Sequence, residues 1–170
     1  MAFIRRKSTA AAFMILCILA AVLIGGWRGT SQEYQKIQKA FSGDDSSPKQ
    51  YLDTMLVRFG YLVETADTYG IQTEKEKSVY QKMQSTITEA AVTELKTRES
   101  SLYAKLKLQP LEEEDTSYME RDHTMFVSAA ASLSHLDYNQ QAMRYNAEMN
   151  RFPASFFQSL YGYEDALVFQ

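Results

Sequence analysis

Residues 137–153 read DYNQQAMRYNAEMNRFP, and this stretch says most about the fold. The pair Tyr-Asn occurs at 138–139 and again at 145–146, and one further step of seven residues reaches Phe152-Pro153. Seven residues are about two helical turns, so the three aromatic residues lie on one stripe of a helix, with the two asparagines on the adjacent stripe. Proline lacks a backbone donor and disfavours helix in the residue before it. The stretch therefore predicts a long helix that ends before Pro153.

The rest of the chain also favours helices. Residues 71–161 contain no glycine and only two prolines, and no run alternates apolar and polar side chains over the length of a strand. Ser47-Pro48 is typical of a helix start, while Thr73-x-x-Glu76 and Ser117-x-x-Glu120 resemble capping boxes. Gly162 suits a final reversal. The predicted helices span residues 31–41, 48–69, 73–108, 117–151 and 153–161.

Apolar residues recur at helical spacing within the three longest predicted helices, and heptad spacing is typical of coiled-coil packing. Helices of 33 to 35 residues would be about 50 Å long. We therefore predict an all-α, elongated, up-and-down antiparallel helical bundle. The three predicted faces comprise Tyr51, Met55, Phe59, Leu62 and Ala66; Met83, Ile87, Ala91, Leu95, Arg98, Leu102 and Leu106; and Met119, Phe126, Leu133 and Gln140.

An apolar segment precedes this body. Residues 8–27 carry no formal charge, and about 20 apolar residues suffice to cross the ~30 Å hydrocarbon core of a bilayer. The basic residues at 5–7 would also suit a cleaved signal peptide of a secreted bundle, but residues 23–28 lack an Ala-x-Ala cleavage pattern, and Trp27 suits a membrane interface. We predict a basic flank at 1–7, a single transmembrane anchor at 8–27 and a helical body at 28–170.

Charge bears on orientation and partners. Three basic residues precede the apolar segment and only Arg28 follows closely, which favours a cytoplasmic N-terminus and an extracytoplasmic body, although Lys36 and Lys39 weaken the bias. The body has 15 Lys and Arg against 21 Asp and Glu, a net charge of −6 that argues against nucleic acid as a partner. Cys17 is the only cysteine, so no disulfide is expected. The lipid bilayer is the partner of residues 8–27.

The C-terminal region resembles the signature of the LemA family, membrane-anchored helical proteins of bacteria. The matching features are the two Tyr-Asn pairs, Arg151-Phe152-Pro153, Leu160-Tyr161-Gly162-Tyr163 and the aromatic Phe169. The segment LVET at 62–65 is similar to a second family motif, but the basic pair and the Pro-Asn that commonly precede it are missing from TMLVRFGY at 54–61. The resemblance implies a helical bundle on the bacterial cytoplasmic (inner) membrane and supplies no reaction.

Motifs for chemistry are absent from the sequence. His123 and His135 would lie about 18 Å apart along one helix, too far to share a metal ion. The acidic run at 112–115 lacks the glycine and alternating ligands of a calcium loop, and neither a phosphate-binding loop nor a nucleophile elbow occurs. We predict no catalytic residue, no metal site and no cofactor, and hence a protein that is not an enzyme.

The signature residues have two alternative interpretations. Buried Tyr and Asn need hydrogen-bond partners, so they either bridge neighbouring helices and set their register or form a surface that docks a partner. The terminal aromatic residues likewise either cover the end of the bundle or remain exposed as a contact patch. The candidate residues are Tyr138, Asn139, Tyr145, Asn146, Phe152, Pro153, Phe156, Phe157, Tyr161, Gly162 and Phe169.

The expected function is that of a non-catalytic interaction or assembly module of the LemA type, with unknown membrane or envelope proteins as partners and a homo-oligomer left open. The alternative is a sensory or signalling ectodomain component that binds a ligand or partner through its bundle, although no second apolar run of about 18 residues follows Trp27. We also expect Phe156, Phe157 and Leu160 to pack on the bundle, so that Phe152→Ala lowers the melting temperature clearly and Phe169→Ala lowers it little.

Overall fold

The computed structural model of the chain describes residues 2–43 and 46–169, with side chains from residue 10 onward. Every regular element in these ranges is an α-helix, and none is a strand. The predicted all-α fold class is confirmed. The described helices are α1 (Ala2–Ser42), α2 (Pro48–Thr68), α3 (Glu74–Ser85), α4 (Glu89–Leu106), α5 (Glu113–His135), α6 (Asp137–Met149) and α7 (Ala154–Tyr161).

The chain divides into two compact units. Unit 1 consists of Met1–Gln38 and Met143–Ala166, and unit 2 consists of Lys39–Ala142 and Leu167–Gln170. The boundaries fall inside α1, inside α6 and in the segment after α7. Unit 2 therefore contains α2 to α5 complete, whereas α7 belongs to unit 1.

Helices α2 to α5 form an up-and-down bundle of four helices in unit 2. Side-chain contacts connect them in chain order: ion pairs of Asp67 with Lys77 at 2.5 Å and of Lys82 with Glu94 at 3.7 Å, and a hydrogen bond between Glu99 and His123 at 2.7 Å. The first two pairs join the end of one helix to the start of the next, as expected for antiparallel neighbours. Helices α2 and α5 are also antiparallel, because Arg58 pairs with Asp122 while Tyr69, just past the end of α2, bonds Asp115 near the start of α5.

The core of this bundle is built from the apolar faces of its four helices. Full burial of a large aliphatic or aromatic side chain contributes roughly 1.5–3 kcal/mol, so these faces hold the bundle together. Most of the predicted core positions are buried; the exceptions are Tyr51, Ile87 and Arg98, which are half-buried, and Gln140, which is exposed. The buried apolar residues of α2 to α5 are Leu52, Met55, Phe59, Leu62, Val63, Ala66, Val79, Met83, Ala91, Val92, Leu95, Leu102, Leu106, Met119, Phe126, Ala129 and Leu133.

The predicted helix 73–108 is instead two helices, α3 and α4, folded back on each other. The break lies at residues 86–88, where Thr86 and Thr88 are extended. Thr88 caps α4, since its hydroxyl accepts a hydrogen bond from the Ala91 amide at 3.1 Å. The predicted face of α4 is buried except at one position, where Glu99 takes the place expected for Arg98. Arg98 lies beside Glu94 at 4.0 Å.

The predicted helix 117–151 is also two helices. It begins earlier, at Glu113, and is interrupted at Leu136, whose backbone is extended (φ −64°, ψ 139°). The Asn139 amide closes the end of α5 by donating hydrogen bonds to the carbonyls of Leu133 at 2.9 Å and Ser134 at 3.1 Å. The heptad pattern does not survive this break, because Gln140 is exposed in α6.

The predicted anchor at 8–27 and the predicted helix at 31–41 form one helix, since α1 runs without interruption from Ala2 to Ser42. Its part from Ala10 to Ser42 is long and apolar enough to cross a membrane, and no other helix in the described ranges is. None of the residues in its most apolar 18-residue window is buried. After it, Ser47 and Pro48 start α2 as predicted, with the Ser47 hydroxyl accepting from the Gln50 amide at 3.4 Å.

Candidate functional site

The C-terminal segment, residues 163–169, is the part of the chain that the two Tyr-Asn pairs contact. Helix α7 ends at Gly162, whose left-handed backbone (φ 67°) suits glycine because it has no Cβ. The predicted reversal at this residue is confirmed. Beyond it the chain has no regular secondary structure up to Phe169, so its backbone donors and acceptors need partners elsewhere.

The first Tyr-Asn pair binds the last part of this segment, within unit 2. The Asn139 side-chain oxygen accepts a hydrogen bond from the Phe169 amide at 2.9 Å. The Phe169 ring lies 6.3 Å from the ring of Tyr138 and 6.4 Å from that of Phe41, and Phe41 lies 5.9 Å from Tyr138. Tyr138 is buried in this cluster, and burial raises the pKa of its phenol to about 12.

The second Tyr-Asn pair binds the earlier part of the segment, within unit 1. The Asn146 amide donates to the Ala166 carbonyl at 2.9 Å and accepts from the Ala166 amide at 2.7 Å, so one side chain satisfies both backbone groups of one residue. The Tyr145 hydroxyl donates to the Glu164 carbonyl at 3.3 Å. Burial first, and then neighbouring Tyr and Asp groups, raise the pKa of Tyr145 to about 12.

The seven-residue repeat has a counterpart in these contacts. The two asparagines of the repeat bond backbone groups three residues apart in the C-terminal segment, Asn146 at Ala166 and Asn139 at Phe169.

Both sequence-based interpretations of the Tyr-Asn pairs missed this partner. Both asparagines bond the C-terminal segment, and Asn139 in addition bonds the end of α5. The amides are therefore already engaged by the chain itself, which removes the motivation for an aromatic-amide docking surface. The sequence signals that pointed to this segment were the reversal at Gly162 and the aromatic residue at 169, which was expected either to cover the end of the bundle or to form a contact patch.

The expected roles of Phe152 and Phe169 are reversed in the structure. Phe152 is 86% exposed, whereas Phe169 is 3% exposed. The reason is that α6 ends at Met149, so the stripe of Tyr138 and Tyr145 does not continue to Phe152. The Phe152–Pro153 peptide bond is cis.

The remaining aromatic signature residues lie on or beside α7, within unit 1. Phe157 is buried and lies against Gly26 of α1, where a Cβ atom would come within 2.1 Å of its ring. Tyr161 lies 6.4 Å from Trp27, measured between ring centroids. Phe156 and Leu160 are 52% and 56% exposed, so the expectation that both are buried is wrong. Phe157 is buried, but against α1 and not on the bundle as expected.

A second candidate site is a cleft of about 550 Å³ along α2 and α5. Its floor contains Asp122, which pairs with Arg58 at 3.0 Å and with Arg121 at 3.5 Å. The two guanidinium groups also lie over aromatic rings, Arg58 over Tyr61 at 5.7 Å and Arg121 over Tyr118 at 4.9 Å. Arginine stacked on tyrosine in an open cleft is an arrangement suited to binding a polar or aromatic partner.

One end of the cleft is closed by Tyr69. Its hydroxyl donates to Asp115 at 2.6 Å and accepts from the Glu112 amide at 3.1 Å. The hydrogen bond to Asp115 is the main cause that raises the pKa of Tyr69. The contact ties the loop before α5 to the end of α2.

A buried carboxyl group lies inside the bundle and was not predicted. Glu99 is fully buried, with one oxygen 2.7 Å from His123 Nδ1, and the other oxygen has no hydrogen-bond partner. Burial raises the pKa of Glu99, and the hydrogen bond with His123 partly offsets that effect. Tyr103 stacks on the imidazole of His123 at 3.6 Å. The pair was missed because the predicted apolar face placed Arg98, and not its neighbour, toward the core.

Neither metal-ligand geometry nor likeness to known proteins assigns a reaction to these groups. Across residues 2–43 and 46–169, no three His, Cys, Asp or Glu side chains are grouped so as to hold a metal ion. No protein-family model, curated protein or solved structure matches the chain.

Proposed function

We propose that this chain is a membrane-anchored helical-bundle protein of the LemA type that serves as a non-catalytic interaction or assembly module at the bacterial cytoplasmic (inner) membrane. The observation that carries the proposal is the unburied apolar part of α1, next in the chain to a bundle with its own core. Apolar surface of that extent is rarely left in water. A lipid bilayer is the solvent that suits it.

The LemA resemblance rests on the sequence alone. The residues that carry it, Asn139 and Asn146, bond the C-terminal segment near Ala166 and Phe169. Because these contacts hold one part of the chain to another, we expect the partner's binding surface elsewhere.

The cleft along α2 and α5 is the surface that we propose for a protein partner. Tyr, Arg and Met are enriched at protein interfaces and in their binding hot spots. The cleft presents Tyr61, Tyr118, Arg121 and Met125, and all four are exposed. A partner that covers these rings and displaces water would use the kind of residues that dominate binding energy in other interfaces.

Photo-crosslinking in native membranes tests this surface. A photoreactive amino acid replaces Tyr118 in the full chain, and the matched control places it at Ser101, an exposed position on α4. We expect position 118 to yield a discrete adduct with one membrane or envelope protein and position 101 to yield none. An adduct of twice the chain's mass would identify a second copy as the partner. Equal products from both positions, or none from position 118, would contradict the proposed surface.

The proposed orientation places the body outside the cytoplasm, as the basic residues at 5–7, before the apolar segment, favour. Cys17 is the only cysteine, so Cys17→Ser combined with Ser101→Cys leaves one reporter thiol in the bundle. A membrane-impermeant maleimide should label that thiol in spheroplasts before lysis. Labelling only after lysis would place the body in the cytoplasm and contradict this orientation.

A sensory component that binds a small ligand is the second candidate. The cleft volume of about 550 Å³ lies within the usual range of small-molecule sites, roughly 300–1,000 Å³. Native mass spectrometry of the purified full chain would distinguish the two. A bound small molecule that Arg121→Ala removes, together with no protein adduct at position 118, would favour ligand sensing over assembly.

A further inference from the structure

Helix α7 is short, uncharged and strongly two-sided. Its sequence is ASFFQSLY. At 100° per residue, Phe156 and Leu160 lie 40° apart on one face, with Phe157 and Tyr161 on the adjoining flank. Ser155 and Gln158 fall on the other side. The flank at Phe157 is buried against α1, while the face of Phe156 and Leu160 is exposed.

Helix α7 packs on the end of the apolar segment of α1 through the flank of Phe157 and Tyr161. Phe157 fills the space over Gly26, and Tyr161 lies 6.4 Å from Trp27. Residues 8–27 are the uncharged run of this helix, and 20 residues of helix extend about 30 Å, the thickness of the hydrocarbon core. Contacts at Gly26 and Trp27 therefore place α7 at the depth where hydrocarbon meets headgroups.

Tryptophan and tyrosine are enriched at that depth because their rings are apolar and their polar groups reach water. Trp27 and Tyr161 meet each other at the level that the length of α1 assigns to the interface. The face of Phe156 and Leu160 is exposed, and so are the side chains of the apolar segment of α1. A lipid bilayer would bury both at once.

We propose that α7 is an interfacial helix, with the face of Phe156 and Leu160 inserted into the boundary between acyl chains and headgroups. This rests on the proposed function in that α1 must cross the membrane. Interfacial helices of this kind bury their apolar face about 5–10 Å into the boundary. The chain then contacts the bilayer through two elements, α1 across it and α7 along its surface.

The insertion depends on apolar area and not on lipid charge. Helix α7 carries no charged residue. The charges nearest to it in unit 1 cancel, since Arg28 and Arg151 are matched by Glu164 and Asp165. Electrostatic attraction to anionic lipid needs an excess of basic residues, which is missing here. Nanodiscs of phosphatidylcholine and of phosphatidylglycerol should therefore give the same result.

The test measures depth with an environment-sensitive fluorophore on single cysteines of the full chain in nanodiscs that contain doxyl-labelled lipid. Native Cys17 reports on the transmembrane segment. Leu160→Cys and Ser159→Cys, each combined with Cys17→Ser, report on two positions of α7 that lie 100° apart. We expect lipid quenching at position 17 and quenching at position 160 at least about twofold stronger than at position 159. Phe156→Ser should reduce the quenching at position 160.

The possible outcomes separate the two proposals. Quenching at position 17 without quenching at position 160 overturns the interfacial helix and leaves the transmembrane segment standing, including the case where a protein partner covers α7. No quenching at position 17 overturns the transmembrane segment and the interfacial helix with it. A clear difference between the two lipid compositions at position 160 overturns the claim that apolar area drives insertion.

Discussion

Single side chains hold the C-terminal segment in place, and Asn146 is the clearest example. Its amide bonds both backbone groups of Ala166, and a net contribution near 1 kcal/mol is usual for one hydrogen bond. Asn146→Ala should therefore destabilise the full chain by about 1–3 kcal/mol and release the C-terminal segment. Hydrogen exchange should show faster exchange of the Ala166 amide. Asn150→Ala removes only a bond within α6 and is the control; equal effects would contradict the prediction.

The buried Phe169 and the exposed Phe152 make a second matched pair. Phe169→Ala removes a ring packed between Phe41 and Tyr138, and truncation of a buried phenylalanine costs about 3–5 kcal/mol. Phe152→Ala should change stability by less than about 0.5 kcal/mol, because the side chain is exposed. Thermal unfolding of the full chain in nanodiscs measures both. A larger loss of stability for Phe152→Ala than for Phe169→Ala would contradict the prediction.

The buried Glu99 should make stability depend on pH. Burial raises its pKa above the ordinary value of 4.5, so its protonated form favours the folded state. That contribution is complete below the ordinary pKa and is lost as pH rises through the pKa of the folded protein. Glu99→Gln, which cannot ionise, should therefore gain stability relative to the parent chain as pH rises from about 4 to 8.

Chemical unfolding at several pH values measures this difference. Glu120→Gln, at an exposed position of α5, is the control and should follow the parent chain at every pH. A constant difference between Glu99→Gln and the parent across the range would mean that ionisation of Glu99 does not oppose folding. The hydrogen bond to His123 would then dominate the environment of this carboxyl.

At the scale of elements, the break between α3 and α4 is decided by a cap. Removing an N-cap hydroxyl typically costs about 1 kcal/mol, so Thr88→Ala should destabilise the bundle by that amount. Thr97→Ala is the matched control, since Thr97 is exposed in the middle of α4 and bonds only the Thr93 carbonyl. That control should be neutral or slightly stabilising, because alanine is the better helix former. Equal losses measured by chemical unfolding would contradict the role of Thr88 as a cap.

Periodicity alone did not reveal this break. Met83, Ile87 and Ala91 continue one helical face, so a straight helix and a folded-back pair are equally consistent with the pattern. Thr88 is one of several threonines, and its role as a cap depends on the chain turning there. The boundary between α3 and α4 lies at the cap of Thr88, and the other threonines of the sequence could cap a helix equally well.

At the scale of the whole molecule, the proposed attachment to the membrane depends on α1. Arginine at the centre of a transmembrane helix costs about 2.5–3.5 kcal/mol per residue. Leu16→Arg combined with Leu19→Arg should therefore prevent stable insertion, while the matched change of both residues to alanine should be tolerated. Extraction of membranes with alkaline carbonate measures the difference. Retention of the arginine variant in the carbonate pellet would show that α1 does not hold the protein by crossing the bilayer.

The local pattern of residues was sufficient for the helical class, the start of α2 at Ser47-Pro48, the reversal at Gly162 and most of the core positions of the bundle. These depend on side-chain periodicity and backbone preferences, which act over a few residues. The folding back of α3 on α4, the burial of Glu99 beside His123 and the partners of Asn139 and Asn146 needed the tertiary structure. Each joins residues distant in sequence, and such pairings depend on which helices pack together and on which polar groups still need a partner.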